Sequence, residues 1–418
     1  MSSKPGTEQY YDALETRDPE AREKAQFEAL RALAAEAKAK APGWARILRD
    51  VDPAALRDRA ALAKLPVTRK SELTELQGSA PPFGGLTTRA PGALRRIFAS
   101  PGPIYDPEGN RQDYWRLARA LFAAGFRAGE LVHNSFSYHL TPAGAMLEDG
   151  AAAVGCAVIP GGVGQTELQV KTIAALRPVA YTGTPSFLKI LFDKAQEISA
   201  SIDCFKKALV GGEALPPSLR AELESHDMRV FQCYATADLG LIAYESTARE
   251  GMIVDEGVIM ELVRPGTGDP VASGEVGEVV VSVPNPDYPL FRFGTGDLSA
   301  VLPGISPCGR TGLRIRGWMG RADQTTKVRG MFVRPAQIAE VVKRHQTIHK
   351  ARLVVDRREH LDTAVLKCEV AGEVSPALAA KIAATFNDVC KVRAEVTFAA
   401  PGALPNDGKV IDDVRKNE

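Results

Sequence analysis

Hydrophobic positions along this chain follow two textures. From about residue 8 to 60, Ala, Leu and Phe recur every three or four positions among Glu, Arg and Lys, up to Pro42-Gly43. That period predicts amphipathic helix. From Asp113 onward, short apolar runs alternate with helical stretches. The pattern predicts helix over 112–126, strand Leu131–Asn134, helix over 143–154, strand Cys156–Pro160 and helix over 165–176. It continues with strand Val179–Tyr181, helix Thr184–Glu197, strand Ala208–Val210, helix over 217–225 and a strand over 229–233. Strands separated by single helices imply parallel βαβ units, whose ligands sit at the carboxyl ends of the strands.

The texture changes near residue 250. Up to Gly317, apolar and polar residues alternate between Gly and Pro turns, which predicts antiparallel strands. Beyond Arg321 the pattern predicts helix over 335–345, strands over 351–356 and 362–370, helix over 376–389 and a strand over 393–398. The expected fold class is therefore α/β. A large domain of βαβ layers with a β-rich part covers 1–320, and a small α+β domain covers 321–418.

Composition excludes several classes. The 52 basic and 51 acidic side chains leave a formal charge of +1, so neither a nucleic-acid nor a membrane surface is expected. Residues 1–25 are polar, and the apolar stretch Ala143–Pro160 is broken by Glu148 and Asp149, so a cytoplasmic location is expected. Cys156, Cys204, Cys233, Cys308, Cys368 and Cys390 form no Cys-x-x-Cys pair, which suggests buried thiols without zinc or disulfides.

Four segments carry candidate chemistry. Pro289-Leu-Phe-Arg-Phe-Gly-Thr-Gly-Asp297 ends in an acid that either forms a turn or accepts a pair of ribose hydroxyls. Gly317-Trp-Met-Gly-Arg321-Ala-Asp323 runs on to Gly330 and Val333-Arg-Pro-Ala-Gln-Ile, a loop able to absorb backbone rotation as a hinge. Leu404-Pro-Asn-Asp-Gly-Lys409 is a tail loop with a lysine. Gly211-Gly212-Glu213-Ala214 and Tyr234-Ala235-Thr236-Ala237-Asp238 close successive strands. Glycines let a purine approach, Tyr234 can stack on it, and Asp238 can hold a cation near phosphates. The same residues would also serve as turn glycines and a helix cap.

Taken in order, these segments resemble the adenylate-forming superfamily, and its phenylacetate–CoA ligase-like branch in particular. His133-Asn-Ser-Phe136-Ser-Tyr138, Ile159-Pro-Gly-Gly-Val-Gly-Gln-Thr-Glu, Pro307-Cys-Gly-Arg-Thr and Leu65-Pro-Val-Thr-Arg-Lys-Ser-Glu-Leu are similar to phrases of that branch. The resemblance runs from about residue 60 to 415. It implies ATP-dependent activation of a small carboxylic acid to an acyl-adenylate, followed by thioester formation with coenzyme A. It further implies adenine contacts from Gly212, Glu213 and Tyr234, with Gly211, Ala214, Ala235 and Thr236 also binding the nucleotide. Asp297 would hold the ribose, and Arg321 would lie near the nucleotide. The hinge would be Asp323. Lys409 would bridge the reacting carboxylate and α-phosphate, Asp238 would hold Mg²⁺, and His133, Phe136 and Tyr138 would line an acyl pocket suited to an aromatic acid. The small domain would be a mobile lid.

The chain departs from the family where the phosphate loop should follow Arg96. A Ser/Thr/Gly-rich loop ending in Gly-Lys-Pro is replaced by Ile97-Phe-Ala-Ser100-Pro-Gly102-Pro-Ile-Tyr-Asp106-Pro-Glu108-Gly. Pro101 and Pro103 offer no N–H, and Asp106 and Glu108 bring negative charge, although Ser100 and Gly102 retain contacts to offer. Only Cys308 stands where some relatives bind zinc, so no zinc is expected. The alternatives are a relative that binds nucleotide without turnover, and an adenylating enzyme that loads a carrier protein or an amine. A dinucleotide oxidoreductase would rest on Gly162-Val-Gly164, and a helical zinc pair on His345 and His349; both have plainer readings as a turn and as helix-end histidines. A homodimer is compatible with the sequence.

Overall fold

The computed structural model describes residues 9–100, 103–264, 268–322, 324, 326–328, 331–358, 361–370, 372–405 and 409–415. The chain divides into two compact units, Met1–Met319 and Gly320–Glu418.

The first unit is built on a sheet of 12 strands. One side is parallel, in the spatial order Ala157–Pro160, Leu131–Asn134, Ala180–Gly183, Lys207–Val210, Arg229–Thr236. Helices Ala143–Val154, Thr166–Leu176, Pro185–Glu197 and Pro217–Glu224 connect these strands. At Arg229–Thr236 the sheet turns antiparallel and continues through Gly240–Glu245, Met252–Val254, Arg314–Ile315, Leu290–Leu302, Val276–Val283 and Ile259–Val263. The two textures of the sequence are thus halves of one sheet. Its central strands are buried on both faces, which is why Ala180–Gly183 and Val279–Val283 carry unbroken buried runs.

Some elements differ from the sequence pattern. The periodic stretch at the N-terminus holds one long helix, Pro19–Lys40, capped by Asp18, whose side chain accepts from the Ala21 N–H. Phe27, Leu30, Leu33 and Ala37 of this helix join Trp44, Phe291 and Phe293 in one core. The helix expected over 112–126 shrinks to Leu117–Ala123. Asp113 and Arg116 are both left-handed, because their side chains are held elsewhere. Asp113 caps the Ala118 N–H, and Arg116 donates to Asp255 and to the carbonyls of Leu239 and Leu241. The hairpin Arg96–Ser100 with Ile104–Glu108 carries no period that would announce it.

In the second unit, strands run Glu395–Ala399, Leu361–Val370, Ile348–Arg358, Ile411–Asp413 across one sheet. Helices Pro335–Arg344 and Pro376–Cys390 bury Ile338, Val341, Ile382 and Phe386 against Leu353 and Leu366. His345 is tied to Thr385 Oγ1 at 2.8 Å. Among the described residues no helix is long and apolar enough to cross a membrane.

One side chain positions the region that carries the motifs. Arg292, 1% exposed, lies on strand Leu290–Leu302 and pairs with Glu261 Oε2 at 3.0 Å. It also donates to the carbonyls of Ala63, Leu65 and Gly268 at 2.8, 2.7 and 2.6 Å. The segment so anchored then pairs in parallel with the same strand, Thr68 opposite Phe293 and Arg69 opposite Gly294. Arg292→Ala would leave Glu261 buried without its cation and the carbonyls without donors. It should lower unfolding free energy by about 3–5 kcal/mol in chemical denaturation; a loss below about 1 kcal/mol would remove this anchor from the account.

Candidate functional site

Gly211, Gly212 and Tyr234 lie at or near the carboxyl ends of neighbouring strands, and Asp297 reaches them from within its own strand. Asp297 lies on Leu290–Leu302, and its carboxylate accepts from the Tyr234 hydroxyl at 2.8 Å and from Trp318 Nε1 at 3.1 Å. Tyr234 belongs to Arg229–Thr236, next to Lys207–Val210, which ends in Gly211 and Gly212. Gly212 has φ +79°, and a Cβ there would stand 3.6 Å from the Phe136 ring and 3.7 Å from Thr184. Glycine therefore leaves a gap between the turn and Phe136. Glu213 accepts from the Ser186 N–H at 2.7 Å, which ties this turn to the start of helix Pro185–Glu197. Ala214 is exposed beyond it.

The proposed acyl wall is organised by a residue the sequence reading left in the background. Asn134 donates to the Tyr138 hydroxyl and to the Gly144 carbonyl, each at 2.8 Å. Its Oδ1 accepts from the Phe136 N–H at 3.1 Å and from Thr182 Oγ1 at 3.0 Å. One buried amide thus fixes both aromatic residues. His133 is fully buried, with Nε2 at 2.8 Å from Gln169 Oε1. Burial pushes its pKa down, which favours the neutral ring. A Cβ on Gly161 would meet His133 at 2.7 Å, so His133 stands behind the wall rather than on its surface. Gln169 Nε2 donates to the carbonyls of Gly162 and Gly164 at 2.9 and 2.6 Å. The Gly162-x-Gly164 turn is therefore folded onto Gln169.

The phosphate-loop position is a hairpin with an acidic interior. Ser100 is buried and its hydroxyl donates to the Ile104 carbonyl at 3.3 Å; Gly102 lies outside the described residues. Gln77 grips the hairpin by donating to the Tyr105 carbonyl at 2.9 Å and accepting from the Tyr105 N–H at 2.8 Å. The next residue, Asp106, is 0% exposed. Its pKa is pushed up to about 7, by burial and then by the charge of Asp238, with Ser100 and Lys70 pulling it down. Asp238 sits in the turn between Arg229–Thr236 and Gly240–Glu245, where Thr236 Oγ1 accepts from the Leu239 N–H and Ala235 is half-buried. Lys70 Nζ lies 2.6 Å from Asp238 Oδ2. Lys70 and Trp318, which the fold brings to Asp238 and Asp297, were not among the sequence candidates, and Asp106 was named only as negative charge at the loop position. Lys70 could have been found, since it stands inside the Leu65-Pro-Val-Thr-Arg-Lys phrase.

In the second unit, Arg321 is exposed, and Asp323 lies outside the described residues. Gln324, the next residue, accepts from the N–H groups of Val410 and Ile411 at 2.5 and 3.0 Å. The backbone just after Lys409 is thus tied to the segment just after Asp323. Lys409 is exposed and pairs with Asp412 at 2.9 Å. Among the described residues no group of three or more His, Cys, Asp or Glu side chains gathers.

Comparison with known proteins decides the family. The model of the AMP-binding enzyme family matches residues 142–286, and that of the AMP-binding enzyme C-terminal domain matches 330–414. A phenylacetate-coenzyme A ligase of Thermus thermophilus is 30% identical over 448 residues, covering 97% of this chain and 100% of that protein. The chain belongs to the adenylate-forming, AMP-binding enzyme family, in its phenylacetate–CoA ligase-like branch. Another branch member, the phenylacetate-coenzyme A ligase of Escherichia coli K12, is 30% identical over 337 residues, covering 77% of this chain and 75% of that one. The family's fold is shared with an open conformation of 2-hydroxyisobutyryl-CoA ligase in complex with 2-HIB-AMP and CoA. The TM-score is 0.75 at 23% identity, covering 99% of this chain and 96% of that one.

Two expectations follow. Trp318 donates to the carboxylate oxygen that a ribose hydroxyl would need, so Trp318→Phe should tighten AMP binding several-fold in calorimetric titration, by about 1 kcal/mol for one exchanged hydrogen bond. Weaker binding would mean that Trp318 helps hold the nucleotide. In cation-free buffer, the folded protein keeps a proton on Asp106 between about pH 4, the ordinary carboxylate range, and about pH 7. The unfolded chain has lost that proton, so stability falls as pH rises through this window. Asp106→Asn should remove that part of the slope and gain most in thermal midpoint above pH 7; parallel curves for the two proteins would contradict it.

Proposed function

We propose that the protein is an AMP-forming carboxylate–CoA ligase acting on a small aromatic or otherwise planar acid. Family membership supports this reading, and one meeting in the fold carries it: Tyr234 and Asp297, 63 residues apart, joined at 2.8 Å beside the strand that ends in Gly211-Gly212. A carboxylate beside the carboxyl ends of the parallel strands, as Asp297 is through Tyr234, is a natural acceptor for two ribose hydroxyls. Phe136, held by Asn134 next to Gly212, supports a flat acyl group adjacent to the nucleoside.

The substrate carboxylate attacks the α-phosphorus of ATP, forming a mixed anhydride and releasing pyrophosphate. The sulfur of coenzyme A then attacks the acyl carbon, the carbon–oxygen bond to AMP breaks, and the thiol proton leaves to solvent. Asp297 and Tyr234 hold the nucleoside against the acid, which matters because a carboxylate is a poor nucleophile. Gly212 and Glu213 border the base with Tyr234, and Gly211, Ala214, Ala235 and Thr236 complete the nucleotide site. Lys409 offsets charge at the reacting oxygens. The small domain pivots at Asp323, bringing Arg321 and Lys409 toward the nucleotide and then withdrawing Lys409 before thiol attack. Asp238, whose Oδ1 is buried without a hydrogen-bond donor, fits a divalent cation such as Mg²⁺, which supplies charge neutralisation on the phosphates. A cytoplasmic location fits these substrates.

The acidic hairpin favours a second reading, in which nucleotide binds without turnover. Carboxylate-dependent exchange of labelled pyrophosphate into ATP, run with Mg²⁺ over aryl and short-chain acids, separates the two. Exchange with an aryl acid is expected, and Lys409→Ala should cut its rate by about 100-fold or more while AMP still binds. Absence of exchange with every acid, AMP binding intact, would establish the second reading.

A further inference from the structure

The hairpin at the phosphate position buries more oxygen than the protein itself can satisfy. Asp106 is 0% exposed, and neither of its carboxylate oxygens accepts a hydrogen bond of good geometry, the neighbouring Ser100 hydroxyl being directed at the Ile104 carbonyl. Asp238 gives Oδ2 to Lys70, while its Oδ1 is buried without a donor. The Tyr288 hydroxyl, on a residue only 2% exposed, makes no hydrogen bond of good geometry although Gln77 lies beside it, and it is within electrostatic reach of both acids. The like charge of Asp238 acts on Asp106 more strongly than the ammonium of Lys70 does. Buried polar atoms are almost always satisfied, so a cluster of such orphans calls for an occupant.

Charge and chemistry identify the class of occupant. Once both acids are ionised, two carboxylates against the single ammonium of Lys70 leave the cluster one charge negative, and its open positions are all oxygen. Glu108 adds nothing to this count, because Arg95 and Arg96 pair with it at 3.4 and 3.2 Å. Oxygen donors with one or two carboxylates suit Mg²⁺ or Mn²⁺, which keep several waters for themselves. The hairpin also lacks any lysine, so its acid would repel a polyphosphate unless a cation faced it.

We propose that Asp106 is a protein ligand for a divalent cation, shared with Asp238 Oδ1, so that the cation is held before nucleotide arrives. The cation thereby brings to Asp106 the positive charge that the hairpin's own Arg96, paired with Glu108, does not. Gln77 sets the site by locking Tyr105, and Tyr288 bonds a water on the ion. The purpose assigned to the site rests on the adenylation proposed above, but its existence does not.

The test is Mn²⁺ binding to the full-length, nucleotide-free protein at pH 8, read by electron paramagnetic resonance and calorimetry. One Mn²⁺ per chain is expected, displaced by Mg²⁺ and weakened more than about tenfold in Asp106→Asn. Asp106→Ser gives the same reading should the amide disturb packing, and AMP titration checks that each variant is folded. No Mn²⁺ bound by the unaltered protein, or unchanged affinity in both variants, would overturn the proposal and leave a proton shared between the acids. Pyrophosphate exchange is read separately, so loss of the cation site and loss of adenylation are distinguishable.

Discussion

The burial of Arg292 is the constraint from which the rest of the site follows. A guanidinium in the interior must find a partner for its charge and acceptors for its N–H groups. Glu261 supplies the first, and the carbonyls of Ala63, Leu65 and Gly268 supply the others. This holds the segment after Leu65 against strand Leu290–Leu302 in a single register. Lys70 follows directly and reaches Asp238, while helix Lys70–Ser79 carries Gln77 to the hairpin. Asp297 lies further along the same strand as Arg292. The proposed nucleoside end and the proposed phosphate end are therefore set by one anchored strand.

The two ends differ in character. At the nucleoside end every polar contact of the motif is made: Asp297 accepts from two donors, and Asn134 uses its amide on both sides. Such a site is pre-organised, and ligand hydroxyls replace bonds of similar strength. At the phosphate end, acids face each other with donors missing. Negative charge in a poorly hydrated place is costly unless a proton or a cation is present. Binding strength on this account comes from the nucleoside, and control over the phosphates comes from what occupies the acidic hairpin.

Much of this was legible in the sequence. The parallel strands were readable because short apolar runs bounded by Gly and Pro fit buried strands, as Ala180–Gly183 does. The order of Gly211-Gly212, Tyr234, Asp297 and the tail lysine identified the family without the fold. Other features were hidden for physical reasons. The hairpin's two five-residue strands contain Pro107 and carry no alternation to mark an inner face. The helix over 112–126 was overestimated because long-range bonds from Asp113 and Arg116 override local propensity. Lys70 acquires its role only through the register imposed by Arg292. Trp318 looked like part of a loop, and nothing local announces that its indole N–H caps Asp297.

The central claim is that Asp297, flanked by Tyr234, is the nucleoside anchor. Calorimetric titration of AMP into the unaltered protein and into Asp297→Ala tests it most directly. Saturable binding that disappears in the variant, with its circular dichroism spectrum and thermal midpoint preserved, is the predicted result. Equal affinity in both proteins would contradict the account, because the nucleotide would then be held somewhere other than where Asp297 and Tyr234 meet.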